Sequence, residues 1–198
     1  MKLIAITGGI GSGKSVVARI VVTMGYNVYD CDQRAKALMI ESGDVRQQLI
    51  EAFGKETFLD DGSLNRQHLS AKAFGNDEAL KRLNGIVHPA TARDMLDWGK
   101  AQSNKGATVA FVETALLRTA AIDRLVDEVW HVTAPADVRV PRVMARSGLS
   151  AQQVRDRMSS QAIEEEPASS EHVIINDDVA AVLPQILNLL NFKQNNNN

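Results

Sequence analysis

A doubly wound α/β fold with a five-stranded parallel sheet is predicted for this 198-residue chain by three observations. Five short β-rich runs punctuate the sequence: Leu3–Ile6, Asn27–Tyr29, Thr108–Val112, Glu128–Thr133 and His172–Ile175. All but the second are apolar or nearly so along their length, as strands buried on both faces are. Helical stretches separate them, which supplies the crossovers that parallel strands require. The first run leads straight into a glycine-rich loop and a helix, the usual opening of such a sheet.

Taken in order, Leu3–Ile6 is followed by Gly8 to Ser15, GGIGSGKS. This stretch matches G-x-x-x-x-G-K-[ST] in its proper place between strand and helix. The glycines allow consecutive backbone N–H groups to turn around a phosphate chain. Lys14 reaches toward the outer phosphates, and the Ser15 hydroxyl sits where a magnesium ion needs an oxygen ligand. Val16, Val17, Ile20, Val21 and Met24 then recur at helical spacing and Gly25 supplies a stop, so the positive end of a helix dipole is aimed at the anion. The second strand rests on the turn-like Gly25 before it and the polar break after Asp30.

The interval from Asp32 to Lys105 is too long for one crossover and reads as an inserted helical lobe. Asp60-Asp61-Gly62-Ser63 is a turn. Asn65 is placed to cap a helix running through Phe74, and Asn76 a longer one running toward Gln102. His88-Pro89 falls inside the latter, where the missing backbone donor predicts a bend. After the fourth strand, Pro135 to Gln161 carries Arg139, Arg142, Arg146, Arg155 and Arg157, with a break at Gly148 and a cap-like Ser150. Two basic helices joined by a glycine turn read as a lid. The expected organisation is one domain, with a core at about residues 1–31, 106–137 and 171–192, a lobe at about 32–105 and a lid at about 138–170. The Asn-rich tail has no apolar pattern and is expected to fray.

Composition narrows the function. With 22 basic and 24 acidic side chains the net charge is −2, which gives no electrostatic case for bulk nucleic-acid or membrane binding. The single cysteine, Cys31, excludes an internal disulfide and suits a reducing, cytoplasmic setting. The first glycine pair, Gly8-Gly9, leaves no room for a secretory apolar segment, and no run approaches the ~18 apolar residues of a membrane span. Composition does not speak to oligomeric state.

A phosphate loop names a nucleoside triphosphate but not a reaction, so the acids and arginines must specify the rest. Asp30 and Asp32 follow the second strand at the carboxyl edge of the sheet, where such folds bind ligands. An aspartate there can orient or deprotonate an attacking hydroxyl. The competing role for Asp-x-Asp at this place is a helix cap. Glu113 closes the third run and is placed to reach a magnesium shell through water, or to stand as a solvated acid at a strand end. Arg142, Arg146 and Arg157 suit either a clamp on a transferring phosphoryl group or a solvated helix face. His88 has no cysteine or histidine at metal-ligand spacing, which leaves packing or a substrate hydrogen bond.

Together, ITGGIGSGKS at Ile6–Ser15, VYDCD ending at Asp32, DGSLNRQHL at Asp61–Leu69, LNGIVHPAT at Leu83–Thr91, and Pro141–Gln161 followed by VIIND at Val173–Asp177 make the chain resemble the dephospho-coenzyme A kinases over nearly its whole length. The phosphate loop is generic to a large superfamily, whereas the LN-x-x-x-HP stretch is much more specific. The resemblance implies ATP-dependent phosphorylation of the ribose 3′-hydroxyl of dephospho-coenzyme A, the last step of coenzyme A synthesis. It implies ATP held by Gly9, Ile10, Gly11, Ser12, Gly13, Lys14 and Ser15, and magnesium near Ser15 and Glu113. Asp32 becomes the candidate base, Arg142 the lid arginine, Asn176 an adenine contact, and Arg66 and His88 members of the acceptor lobe.

The chain also departs from the pattern. Many members read Asp-x-Pro-Leu-Leu-Phe-Glu after the third strand, where this chain has Glu113-Thr114-Ala115-Leu116-Leu117-Arg118. Near the lid's end most have basic residues, whereas Glu165 to Glu171 contains none. Among rival readings, another small-molecule or nucleoside monophosphate kinase shares the architecture. A GTPase switch would show Asn-Lys-x-Asp, and Asn104-Lys105-Gly106-Ala107 lacks the aspartate.

Overall fold

The computed structural model describes residues 1–73, 75–161, 164 and 166–194. Phe74, the expected end of one helix, and the terminal asparagines lie outside them. Five strands form one sheet: β1 (Lys2–Thr7), β2 (Val28–Asp30), β3 (Val109–Glu113), β4 (Glu128–Thr133) and β5 (His172–Ile175), in the order β2-β3-β1-β4-β5. β1 pairs in parallel with β3 and β4, and β4 with β5. The central strand therefore sits where the winding reverses, and the loop that follows it emerges at the ligand-binding edge of such a sheet.

Eight α-helices connect the strands among the described residues: α1 (Lys14–Thr23), α2 (Cys31–Glu41), α3 (Gly43–Phe53), α4 (Arg66–Ala73), α5 (Asp77–Asn104), α6 (Ala136–Ser147), α7 (Ala151–Ser160) and α8 (Val182–Gln194). The predicted caps form. Asn65 Oδ1 accepts from His68 N at 3.1 Å, and Asn76 Oδ1 from Ala79 N at 3.0 Å. Helix α5 runs unbroken through Pro89. Gly148, with φ 68°, ends α6, and Ser150 opens α7 in a capping box with Gln153.

The chain divides into two compact units, residues 1–29 with 102–198, and residues 30–101. In the first, Ile4, Ile6, Val17, Val21, Phe111, Trp130, Val132, Ile174 and Ile186 are fully buried. Phe111 takes Tyr26 and Trp130 edge-on, with centroids 5.4 and 5.0 Å away; each such pair adds about 0.5–1.5 kcal/mol beyond burial. In the second unit Val45, Leu49 and Phe53 of α3 close against Leu69 of α4 and Ala90 of α5. Ser42 starts α3 by accepting from Val45 N, and Gly54, at φ 94°, ends it.

Candidate active site

The loop after β1 is shaped by glycines that nothing else can replace. Gly8, Gly11 and Gly13 have φ of 137°, 80° and 98°, a region L-residues enter only with strain. Space forbids a side chain as well: a Cβ on Gly8 would lie 2.1 Å from Val132 O, and one on Gly13 would lie 1.9 Å from Asn176 Nδ2. Helix α1 starts behind the loop with no side-chain cap and no acid in its first turn. An anion is therefore the natural partner for that end of the helix. Lys14 Nζ donates to Gly8 O at 2.8 Å and Gly9 O at 3.3 Å, which folds the side chain back over the loop. The hydroxyls of Thr7 and Ser12 are buried with no hydrogen-bond partner among the described residues.

Neighbouring elements brace this cradle from behind. Asn176, just past β5, donates Nδ2 to Ser12 O at 2.8 Å, and its N–H to Thr133 O at 2.9 Å. Arg139 of α6 is buried and donates Nε to Ile10 O at 2.8 Å. Ile10 packs against the cluster formed by Val140, Val143 and Val154, so α6, α7 and the loop share one small core. Arg142, one turn further along α6, donates to Asn176 O at 2.9 Å and pairs with Asp178. Asp177 accepts from Val179 N and Ala180 N, which holds its carboxyl below the usual 3.8, helped by the Arg142 charge.

The other expected residues fall as follows. Glu113 ends β3 opposite Ile6, and Thr114 N donates to Ile6 O at 3.1 Å. Ser15 lies in the first turn of α1. Asp30 is the N-cap of α2, accepting from Gln33 N at 2.9 Å. The two aspartates thus divide the alternatives: the first caps, and Asp32 stands exposed in the helix's first turn. Cys31 between them is buried. Arg66 lines a cavity in the helical unit with Lys36, and His88 lies half-buried within α5. Arg146 and Arg157 are exposed.

Sequence reasoning did not single out Arg139. It shares a helix face with Arg142 and Arg146 at spacings of three and seven, and only the packing of Val140 and Val143 decides which of the three turns under the loop. Glu164 was equally silent. It is fully buried, and its carboxylate accepts from Arg118 N at 3.1 Å and Thr119 N at 2.8 Å.

The same combination of elements recurs in known proteins. The family model for dephospho-CoA kinase matches residues 2–182. The dephospho-CoA kinase of Porphyromonas gingivalis is 39% identical over 192 residues, covering 96% of this chain and 93% of the relative. That of Salinibacter ruber is 40% identical over 179 residues, with 89% of each chain covered. Among solved structures, a Thermus thermophilus protein superposes with a TM-score of 0.76 at 30% identity, covering 98% of this chain and 97% of that one. Shikimate kinase from Bacteroides thetaiotaomicron, at 10% identity and a TM-score of 0.57, shares the fold. A match that starts in β1 and ends in α8, taking in the loop, Asp30 and Asp32, and helices α6 and α7, places this chain in the dephospho-CoA kinase family.

Proposed function

We propose that the protein transfers the γ-phosphoryl group of ATP, with magnesium, to the ribose 3′-hydroxyl of dephospho-coenzyme A, giving coenzyme A. The observation that carries the phosphoryl-transfer half is the glycine loop closed onto the uncapped, acid-free start of α1. Family membership carries the choice of acceptor.

Each residue's part follows from its chemistry. The loop from Gly9 to Ser15 wraps the phosphates with backbone N–H groups, and Lys14 exchanges its contacts with the Gly8 and Gly9 carbonyls for the outer phosphate oxygens. Arg139 and Asn176 keep the loop in shape, so little reorganisation is left for the moment of reaction. Arg142 supplies the lid's positive charge to the transferring group. From the helical unit, Asp32 accepts the proton of the attacking hydroxyl or orients it.

Ser15 and Glu113 are a sparse oxygen donor set, and among the described residues no group of three or more His, Cys, Asp or Glu gathers as a cation cage. That suits magnesium, which keeps several waters and takes phosphate oxygens in place of a full protein cage. Ser15, with Glu113 acting through water, would hold magnesium there, and the ion would supply positive charge that offsets the charge of the phosphates.

Coupled ADP release with ATP and magnesium tests this reading, comparing dephospho-coenzyme A with AMP, CMP and dTMP. Turnover with dephospho-coenzyme A well above the other three is expected. Preference for a nucleoside monophosphate would replace this function by that of the rival kinase class.

A further inference from the structure

Helix α2 carries Asp32 in its first turn, yet little apolar packing holds that turn. Of the helix's eleven residues Cys31 alone is buried. Met39, which packs against the apolar core of the helical unit, lies about two turns further on. Polar contacts must therefore fix the start of the helix. Asp30 caps it through Gln33 N, and the next side chain is Arg34, about 3 Å along the axis from Asp32.

Arg34 reaches across to another helix. Its Nε donates to Asp94 Oδ2 and its Nη2 to Asp94 Oδ1, both at 3.1 Å, the two-pronged pairing that fixes direction as well as distance. Nη1 donates to Glu41 Oε2 at 3.2 Å, two turns along α2, which aligns the guanidinium. Asp94 belongs to α5, where the adjacent Met95 is fully buried and Ala90 joins the core of the unit. The partner of Arg34 thus sits on a helix anchored by packing.

Neither charge nor stability accounts for this arrangement. Two carboxylates face one guanidinium, so the cluster is net negative and does not attract an anionic substrate. The side chains of Arg34, Asp94 and Glu41 are 36%, 29% and 61% exposed, and ion pairs so open to water add little to stability. What a fork does supply is direction, and direction matters to a catalytic group, because a misplacement of about 1 Å can cost about 10²-fold in rate.

We infer that Arg34 is a positioning residue: its fork to Asp94 ties the first turn of α2 to α5 and so holds the Asp32 carboxylate where the attacking hydroxyl needs it. The inference rests on the role proposed above for Asp32.

Turnover of ATP, magnesium and dephospho-coenzyme A is measured for Arg34→Met, Asp94→Asn, Asp32→Asn and the double variant Asp32→Asn/Arg34→Met. Arg34→Met should lower kcat by about 10–100-fold, with the KM for ATP unchanged and Tm within about 4 °C of the original. Asp94→Asn opens the fork from its other side and should lose a similar factor. The double variant separates positioning from a general effect on the fold. With no carboxylate left to place, Arg34→Met should cost less than about threefold beyond Asp32→Asn alone. Losses that multiply, or full turnover in Arg34→Met, overturn the inference. Should Arg34→Met fail to fold, Asp94→Asn, alone and joined to Asp32→Asn, decides the same question by the same criteria. Normal turnover in Asp32→Asn would remove the base assignment instead, and the inference with it.

Discussion

Gly13→Ala puts the phosphate loop under two loads whose sizes follow from geometry. The first is conformational: at φ 98° an L-residue costs about 1–2 kcal/mol. The second is the new Cβ, 1.9 Å from Asn176 Nδ2, a separation no contact tolerates, so the amide must leave. It then gives up its 2.8 Å bond to Ser12 O, worth about 0.5–1.5 kcal/mol net. The single change should therefore destabilise by roughly 1.5–3.5 kcal/mol. Asn176→Ala alone loses only the bond. In Gly13→Ala/Asn176→Ala the bond is already gone and the obstruction with it, so the double variant should be about as stable as Gly13→Ala. The cycle then shows a coupling of about 1 kcal/mol. Urea denaturation followed by tryptophan fluorescence measures all four proteins. Strict additivity, with the double variant worse than Gly13→Ala by the whole cost of Asn176→Ala, would refute the idea that these residues compete for one place.

Asp32→Asn should lower turnover by about 10²–10⁴-fold while leaving the KM for ATP near its original value; lost ATP affinity with normal turnover at saturation would contradict the base assignment. Arg142→Ala should cost about 10³ in rate in the coupled assay, and a loss below tenfold would leave Arg142 as a surface contact of Asp178. Glu164→Ala removes a fully buried carboxylate that accepts from two part-buried N–H groups, so destabilisation of roughly 1–3 kcal/mol is expected. Faster hydrogen exchange at Arg118 and Thr119 is the local sign of that loss, and unchanged protection would count against it. Asp177 is held below its ordinary 3.8, so its contribution to stability is complete above that pH and disappears only as pH falls through the depressed value. Carbon-13 titration should find its midpoint below 3.8, and a midpoint at or above that would remove the turn from the account.

The sheet was legible because each strand is a short apolar run with a physical boundary at either end. The runs at β4 and β5 match the structure residue for residue: β4 stops just before Ala134-Pro135, β5 before the polar Asn176-Asp177, and both pair along their length. At β2 the reading stopped at Tyr29 while the strand continues to Asp30. That residue serves as the last of the strand and also as the cap of α2, and only its bond to Gln33 N separates those roles. The inserted lobe was legible as helical but not in its parts. The break between α2 and α3 depends on Ser42, which ends one helix and caps the next with a single hydroxyl. In the site, the loop was readable because its chemistry is local. Arg139 was not, since its partner Ile10 is distant in sequence and helical periodicity offers Arg142 and Arg146 as equals.

The two departures from the family pattern are better understood as one. Arg118, standing in the segment after β3, donates Nη2 to Glu171 Oε1 at 2.7 Å, and Glu171 Oε2 lies 3.2 Å from His131 Nδ1. His131 is fully buried in β4, paired in register with Thr7 at the mouth of the phosphate loop. After α7, Glu171 is directed at the Arg118 side chain and Glu164 at the backbone N–H groups of Arg118 and Thr119. The Arg118–Glu171 pair is only partly buried, with the Arg118 side chain 21% exposed, so solvent screens part of its attraction. A cation at 118 and an acid at 171 are therefore matched: Glu171 joins the Arg118 side chain to His131. The carboxylates of Glu164 and Glu171 tie the chain after α7 to the segment that follows Glu113.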